Sequence, residues 1–90
     1  MTLNDIIRRA YKYKGLSLYC YDNKKINNNL IELLKLCVNN NININLSEQD
    51  VVKIINIYYS INNKYYDKFI KNIIKLSKKE INIKKVYELL

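Results

Sequence analysis

Lys64, Lys68, Lys71, Lys75 and Lys78 recur at spacings of 4, 3, 4 and 3. On an α-helix that spacing puts all five ammonium groups on one face. At 1.5 Å per residue they form a stripe about 21 Å long. Lys79, Lys84 and Lys85 extend the positive field, and from Lys68 to Lys85 seven lysines face one acid, Glu80. A row of cations about one helical turn apart can follow a sugar-phosphate backbone, giving affinity without reading sequence. The competing account is the solvated face of an amphipathic helix, although such faces usually mix both signs of charge. The corresponding positions of the preceding helical pattern, Lys24, Asn28, Ile31, Lys35 and Val38, do not repeat the stripe.

Arg8 and Arg9 are the two arginines of the chain, and with Lys12 they make a second, smaller basic patch. A guanidinium fork can bind two phosphate oxygens at once, while a stem lying over an apolar face accounts for the same pair equally well. Of the nine tyrosines, Tyr58, Tyr59, Tyr65, Tyr66 and Tyr87 fall at positions suited to a core or a protein interface. Tyr11, Tyr13, Tyr19 and Tyr21 are the better candidates for stacking on unpaired bases. Tyr58, Tyr59 and Ile61 form the candidate protein-docking surface.

Catalytic chemistry finds little to work with. The chain has no histidine and one glycine, which removes the usual general base and any glycine-rich phosphate cradle, and no two acids form a convincing catalytic pair. Cys20 and Cys37 match neither a C-x-x-C redox site nor a twin-cysteine framework with paired short spacings, and two thiolates cannot supply the roughly four N or S ligands of a zinc site. They are expected to be reduced, buried thiols. The expectation is a non-enzyme with no cofactor, no metal and no small-molecule substrate.

The elements that must position these residues follow from composition and pattern. Ninety residues with 49% hydrophobic and 27% charged content suit one folded domain. One glycine and no proline argue against a sheet protein, which needs such turns, and for helices joined by Asn-rich connections. Asn, Ile, Lys and Tyr are encoded by A/T-rich codons, so placement counts for more than abundance. The formal charge of +8 favours a polyanionic partner, either nucleic acid or an anionic membrane surface. No apolar run reaches the roughly 18–20 residues of a membrane span. Residues 1–20 carry Arg8, Arg9, Lys12 and Lys14 against Asp5 alone, with Leu3, Ile6, Ile7, Ala10 and Tyr11 on one helical face. An ordinary first helix is preferred here over a mitochondrial targeting helix.

Three helix starts share one device. Thr2-x-x-Asp5, Ser47-x-x-Asp50 and Ser77-x-x-Glu80 fit the capping box, in which hydroxyl and carboxylate each accept from the other residue's backbone amide. Leu30–Cys37 also matches Ile70–Ser77 at an offset of 40, and Ile42-Asn-Ile44 is echoed by Ile81-Asn-Ile83. The predicted helices are about 3–14, with Gly15 after the last turn, 25–39, 48–61, 64–78 and 80–90. Residues 16–29 form the least regular part. The predicted fold is therefore all-α: a short α-solenoid of about two helix-turn-helix repeats (2–45 and 46–79) with a capping C-terminal helix (80–90). The 48–61 segment is apolar nearly all round, so it must be covered on more than one side.

Residues 46–78, from Leu46-Ser-Glu-Gln-Asp-Val-Val-Lys through Tyr65-Tyr-Asp-Lys-Phe-Ile, resemble one unit of the heptatricopeptide or octotricopeptide repeats. Those degenerate helical repeats occur in organellar RNA-binding proteins, including the FAST-kinase-like and RAP-domain proteins. Residues 2–45 resemble them more loosely. The chain departs from that family in holding about two units and no RAP domain. The stretch Leu30–Ile44 is also similar to the end of an ankyrin repeat, without its T-P-L-H opening. The first resemblance implies RNA as partner, rRNA and neighbouring subunits of an organellar (mitochondrial) ribosomal particle being the concrete form, in a mitochondrial or other organellar matrix. The alternative expectation is a cytoplasmic helical adaptor that binds a protein and no nucleic acid.

Overall fold

The computed structural model describes residues 1–12, 23–62, 68–77 and 80–90, and these are all-α. Five helices follow in order: α1 (Leu3–Lys12), α2 (Asn23–Asn39), α3 (Glu48–Asn62), α4 (Lys68–Lys75) and α5 (Ile83–Leu89). Gly15, Cys20, Lys64, Tyr65, Tyr66 and Lys78 lie outside the described residues, as does the segment 16–22. The expected irregular stretch is shorter than its sequence implied, because helix α2 already begins at Asn23.

The capping boxes at Thr2 and Ser47 form. The Thr2 amide donates to Asp5 Oδ2 at 2.9 Å and the Asp5 amide donates to Thr2 Oγ1 at 3.3 Å. At α3 the Ser47 amide donates to Asp50 Oδ2 at 3.0 Å and the Asp50 amide to Ser47 Oγ at 3.2 Å. Each box satisfies two backbone donors that a helix start leaves without partners. At Ser77 the last helix does not begin. Ser77 is bridged in extended register to Ile44, and its hydroxyl donates to the Leu46 carbonyl at 3.4 Å. The last helix instead starts at Ile83, capped by Asn82, whose side chain accepts from the Lys85 amide at 3.3 Å. Asn is as good a cap as Ser, so the start moves down the chain once Ser77 is held elsewhere.

Helix α2 ends in a Schellman motif. Asn41 has a positive φ of 53°, its amide donates to the Val38 carbonyl at 3.2 Å, and the Ile42 amide donates to Cys37 at 3.0 Å. That is the 5→2 and 6→1 pair of the motif, with Asn in the place usually taken by Gly.

The chain after that turn joins the two halves. Residues 44–45 bridge Thr2 and Ser77 in parallel: the Asn45 amide donates to the Met1 carbonyl at 2.7 Å, and the Ile44 amide to the Leu76 carbonyl at 3.1 Å. The segments that precede α1, α3 and α5 thus lie side by side, with the Ile44 side chain fully buried. Both α2 and α4 finish beside this small ladder, so the two helices run the same way. The echoed tails are not equivalent in space: Ile42 is exposed where Ile81 is buried.

One core cluster takes side chains from all five helices, including Ile6, Leu34, Ile54, Ile55, Ile73 and Val86. Helix α1 packs on α2, α2 also on α3 and α4, and α3 on α4 and α5. The nearly all-round apolar surface of α3 is explained by that position, since three helices of its own chain cover it. Asn29 is the buried polar side chain of the core, and its amide donates to the Ala10 carbonyl in the last turn of α1 at 3.4 Å.

Candidate nucleic-acid interface

The row Lys68, Lys71 and Lys75 lies on α4, and all three side chains are exposed. They face water because Ile70 and Ile73, on the opposite side of the helix, are fully buried. The expected stripe of five is three within the described helix, about 10 Å from end to end, since Lys64 and Lys78 lie outside it. Arg8 and Arg9 are exposed on α1, opposite the buried Leu3, Ile6 and Ala10.

The tyrosines divide by burial. Tyr58 is 8% exposed, and its ring stacks on Phe69 with centroids 4.9 Å apart. It joins α3 to α4 inside the fold and is withdrawn from the expected docking surface, because a ring seated against Phe69 offers little to a partner. Tyr59, one residue on, is 37% exposed, and Ile61 is half-buried. Tyr11 is half-buried on α1, and Tyr13, Tyr19 and Tyr21 lie outside the described residues.

Lys35 was missed as part of this surface. Its ammonium sits over the Phe69 ring, 5.9 Å from the centroid, which carries positive charge from α2 to the edge of α4. A cation over an aromatic face is attracted by the ring quadrupole. The partner ring is 34 residues away in sequence, a pairing that helical periodicity alone cannot reveal. Within α2 and α4 together, Lys24, Lys25, Lys35, Lys68, Lys71 and Lys75 stand against one acid, Glu32. The acids Asp5, Glu48 and Asp50 gather in the first turns of α1 and α3, beside the ladder.

A cleft of about 150 Å³ opens between α1 and α2. Leu33, Leu36, Cys37 and Ile42 line it with Arg9, and Leu36 and Ile42 are themselves exposed. Cys37 is a free, buried thiol. Burial pushes its pKa up, against the opposing charge of Arg9, so the thiolate needed for nucleophilic or redox chemistry is disfavoured. Among the described residues no group of three His, Cys, Asp or Glu side chains is placed to hold a metal ion. Among the described residues no helix is long and apolar enough to cross a membrane. Comparison with known protein families, curated proteins and solved structures finds no match to this chain.

Proposed function

We propose that this protein is a small non-enzymatic helical module that contacts RNA phosphates and packs against neighbouring proteins in a ribonucleoprotein particle. The observation that carries the reading is the α4 row, three exposed lysines on one face of a helix whose described residues, Lys68–Lys75, include no acid. The resemblance of residues 46–78 to organellar helical repeats supports RNA as the polyanion and an organellar, mitochondrial-type ribosomal particle as the setting. The parallel segments at Thr2, Asn45 and Ser77, which lie side by side, are the feature that supports reading the fold as a short solenoid of two helix-turn-helix units with a terminal helix. Arg8 and Arg9 add phosphate contacts from α1, and Tyr59 with Ile61 offers a protein contact at the end of α3.

The test is fluorescence anisotropy with single-stranded RNA across a salt series, on wild type and on the triple variant Lys68→Glu, Lys71→Glu, Lys75→Glu. Each phosphate contact contributes about 0.7 to the log–log salt slope on a single strand. The triple variant is expected to lower the slope by about 2 while its circular dichroism stays helical. Absence of wild-type binding at low salt to this strand and to its duplex refutes the reading and leaves the second one, a protein adaptor without nucleic acid. That second reading is favoured by the exposed Leu36 and Ile42 beside the α1–α2 cleft.

A further inference from the structure

We propose that the phosphate-contacting surface is built by two helices, with Lys35 of α2 completing it, and that it fits the two backbones of an RNA duplex better than a single strand. This rests on the RNA reading above and extends it to the form of the RNA. Three observations carry it.

The first is the placement of Lys35. Its ammonium lies over Phe69, the residue next to Lys68, so the cation of α2 is positioned beside the α4 row rather than swinging free. Phe69 is itself fixed by Tyr58 stacked on it.

The second is the presence of two rows of cations. Lys24 and Lys35 are eleven residues apart on α2, hence within about 20° of each other round the helix and about 16 Å apart along it. Lys68 and Lys75 are likewise within about 20° on α4. The two helices pack against each other and run the same way, and packed helices have axes about 8–10 Å apart. One chain of phosphates can follow one row. Engaging both rows takes phosphates laid out in two lines, as on the strands that flank the groove of a duplex.

The third is the use already made of Phe69. Its ring is half-buried and engaged by Tyr58 and Lys35, so on this face it holds a lysine instead of offering a platform for an unpaired base. Contact through ammonium groups alone suits recognition of RNA helices by backbone and shape, whereas single-strand binders combine a basic groove with aromatic stacking.

The experiment compares an RNA duplex and a single strand of equal length by fluorescence anisotropy across a salt series. The proteins are wild type, Lys35→Gln, Lys35→Arg and, as control, Lys53→Gln on the exposed side of α3. Circular dichroism establishes that each is folded. The expected result is duplex binding at least about tenfold tighter than single-strand binding. Lys35→Gln should lower the duplex salt slope by about 0.9, the share of one phosphate contact on a duplex. Lys35→Arg should restore that slope, and Lys53→Gln should leave it unchanged. A purely structural Lys35 would alter thermal stability and leave the slope alone, which overturns the inference. Equal or tighter binding of the single strand overturns it too, with the RNA reading intact. If neither RNA binds at low salt, the RNA reading itself falls.

Discussion

Asn41 gives the sharpest test of how this chain turns its corners. Its φ of 53° lies in the left-handed region, where Cβ crowds the following carbonyl and most residues incur about 1–2 kcal/mol. Asn tolerates the region and Gly enters it without steric cost. The turn matters because it closes the 17-residue helix α2 and delivers Ile44 into the core and the ladder. Asn41→Ala keeps both Schellman hydrogen bonds, whose donors are backbone amides, but adds the left-handed strain. The expected loss is about 1 kcal/mol, or about 4–8 °C in Tm for a domain of this size. Asn41→Val adds a branched Cβ and should lose more, about 2 kcal/mol. Asn41→Gly relieves the left-handed strain, and this relief is expected to match or outweigh the added freedom of the unfolded chain, so its Tm should equal or exceed that of wild type. Thermal melts followed by far-ultraviolet circular dichroism give the order Gly at or above Asn, then Ala, then Val. Ala as stable as Asn, or Gly less stable than Ala, would refute the left-handed turn and the termination of α2 built on it.

Two further predictions concern the capping boxes. Ser47→Ala removes the hydroxyl that accepts from the Asp50 amide and should cost about 1 kcal/mol. Ser47→Asp or Ser47→Asn should recover most of that loss in a denaturant titration, and an Ala variant of unchanged midpoint would show that the box contributes nothing. At the other box the Asp5 carboxyl is held below its ordinary value of 3.8, first by the hydrogen bond from the Thr2 backbone amide and next by that from its side chain. A lowered folded pKa means that the contribution is present above the ordinary value and lost as pH falls through the folded one. Wild type should therefore lose stability at acid pH, below about 4, more steeply than Asp5→Asn, and parallel pH curves would contradict the assignment.

Much of the architecture was legible because it is written in local patterns. Helices α1, α2 and α3 begin and end within about two residues of their predicted bounds, since cap residues and apolar spacing act within one turn. The two boxes at Thr2 and Ser47 were readable for the same reason. The later start of the last helix has non-local company: Ser77 is bridged to Ile44 and bonded to the Leu46 carbonyl, in a segment about thirty residues earlier. No local pattern records those contacts, and Asn82 looks like any other Asn in an Asn-rich chain. The candidate site divides along the same line. The α4 lysines were visible as a spacing, whereas Lys35 joins them through Phe69, and Tyr58 leaves the docking surface through the same ring. Phe69 is the single phenylalanine of the chain, which marked it out in composition without showing what it touches.

The cost of the lysine row bears on whether codon bias alone explains it. The described part of α4, Lys68–Lys75, is anchored in the fold by the burial of Ile70 and Ile73. Lys68–Lys71 and Lys71–Lys75 are like-charge pairs at i,i+3 and i,i+4, each unfavourable by a few tenths of a kcal/mol. A Glu in place of Lys71 would turn both pairs favourable. Asn is as abundant a product of an A/T-rich gene as Lys, and it would remove the repulsion at these exposed positions. The row therefore holds like-charge pairs that its composition does not require. A line of phosphates opposite the row would relieve that repulsion and turn it into binding energy.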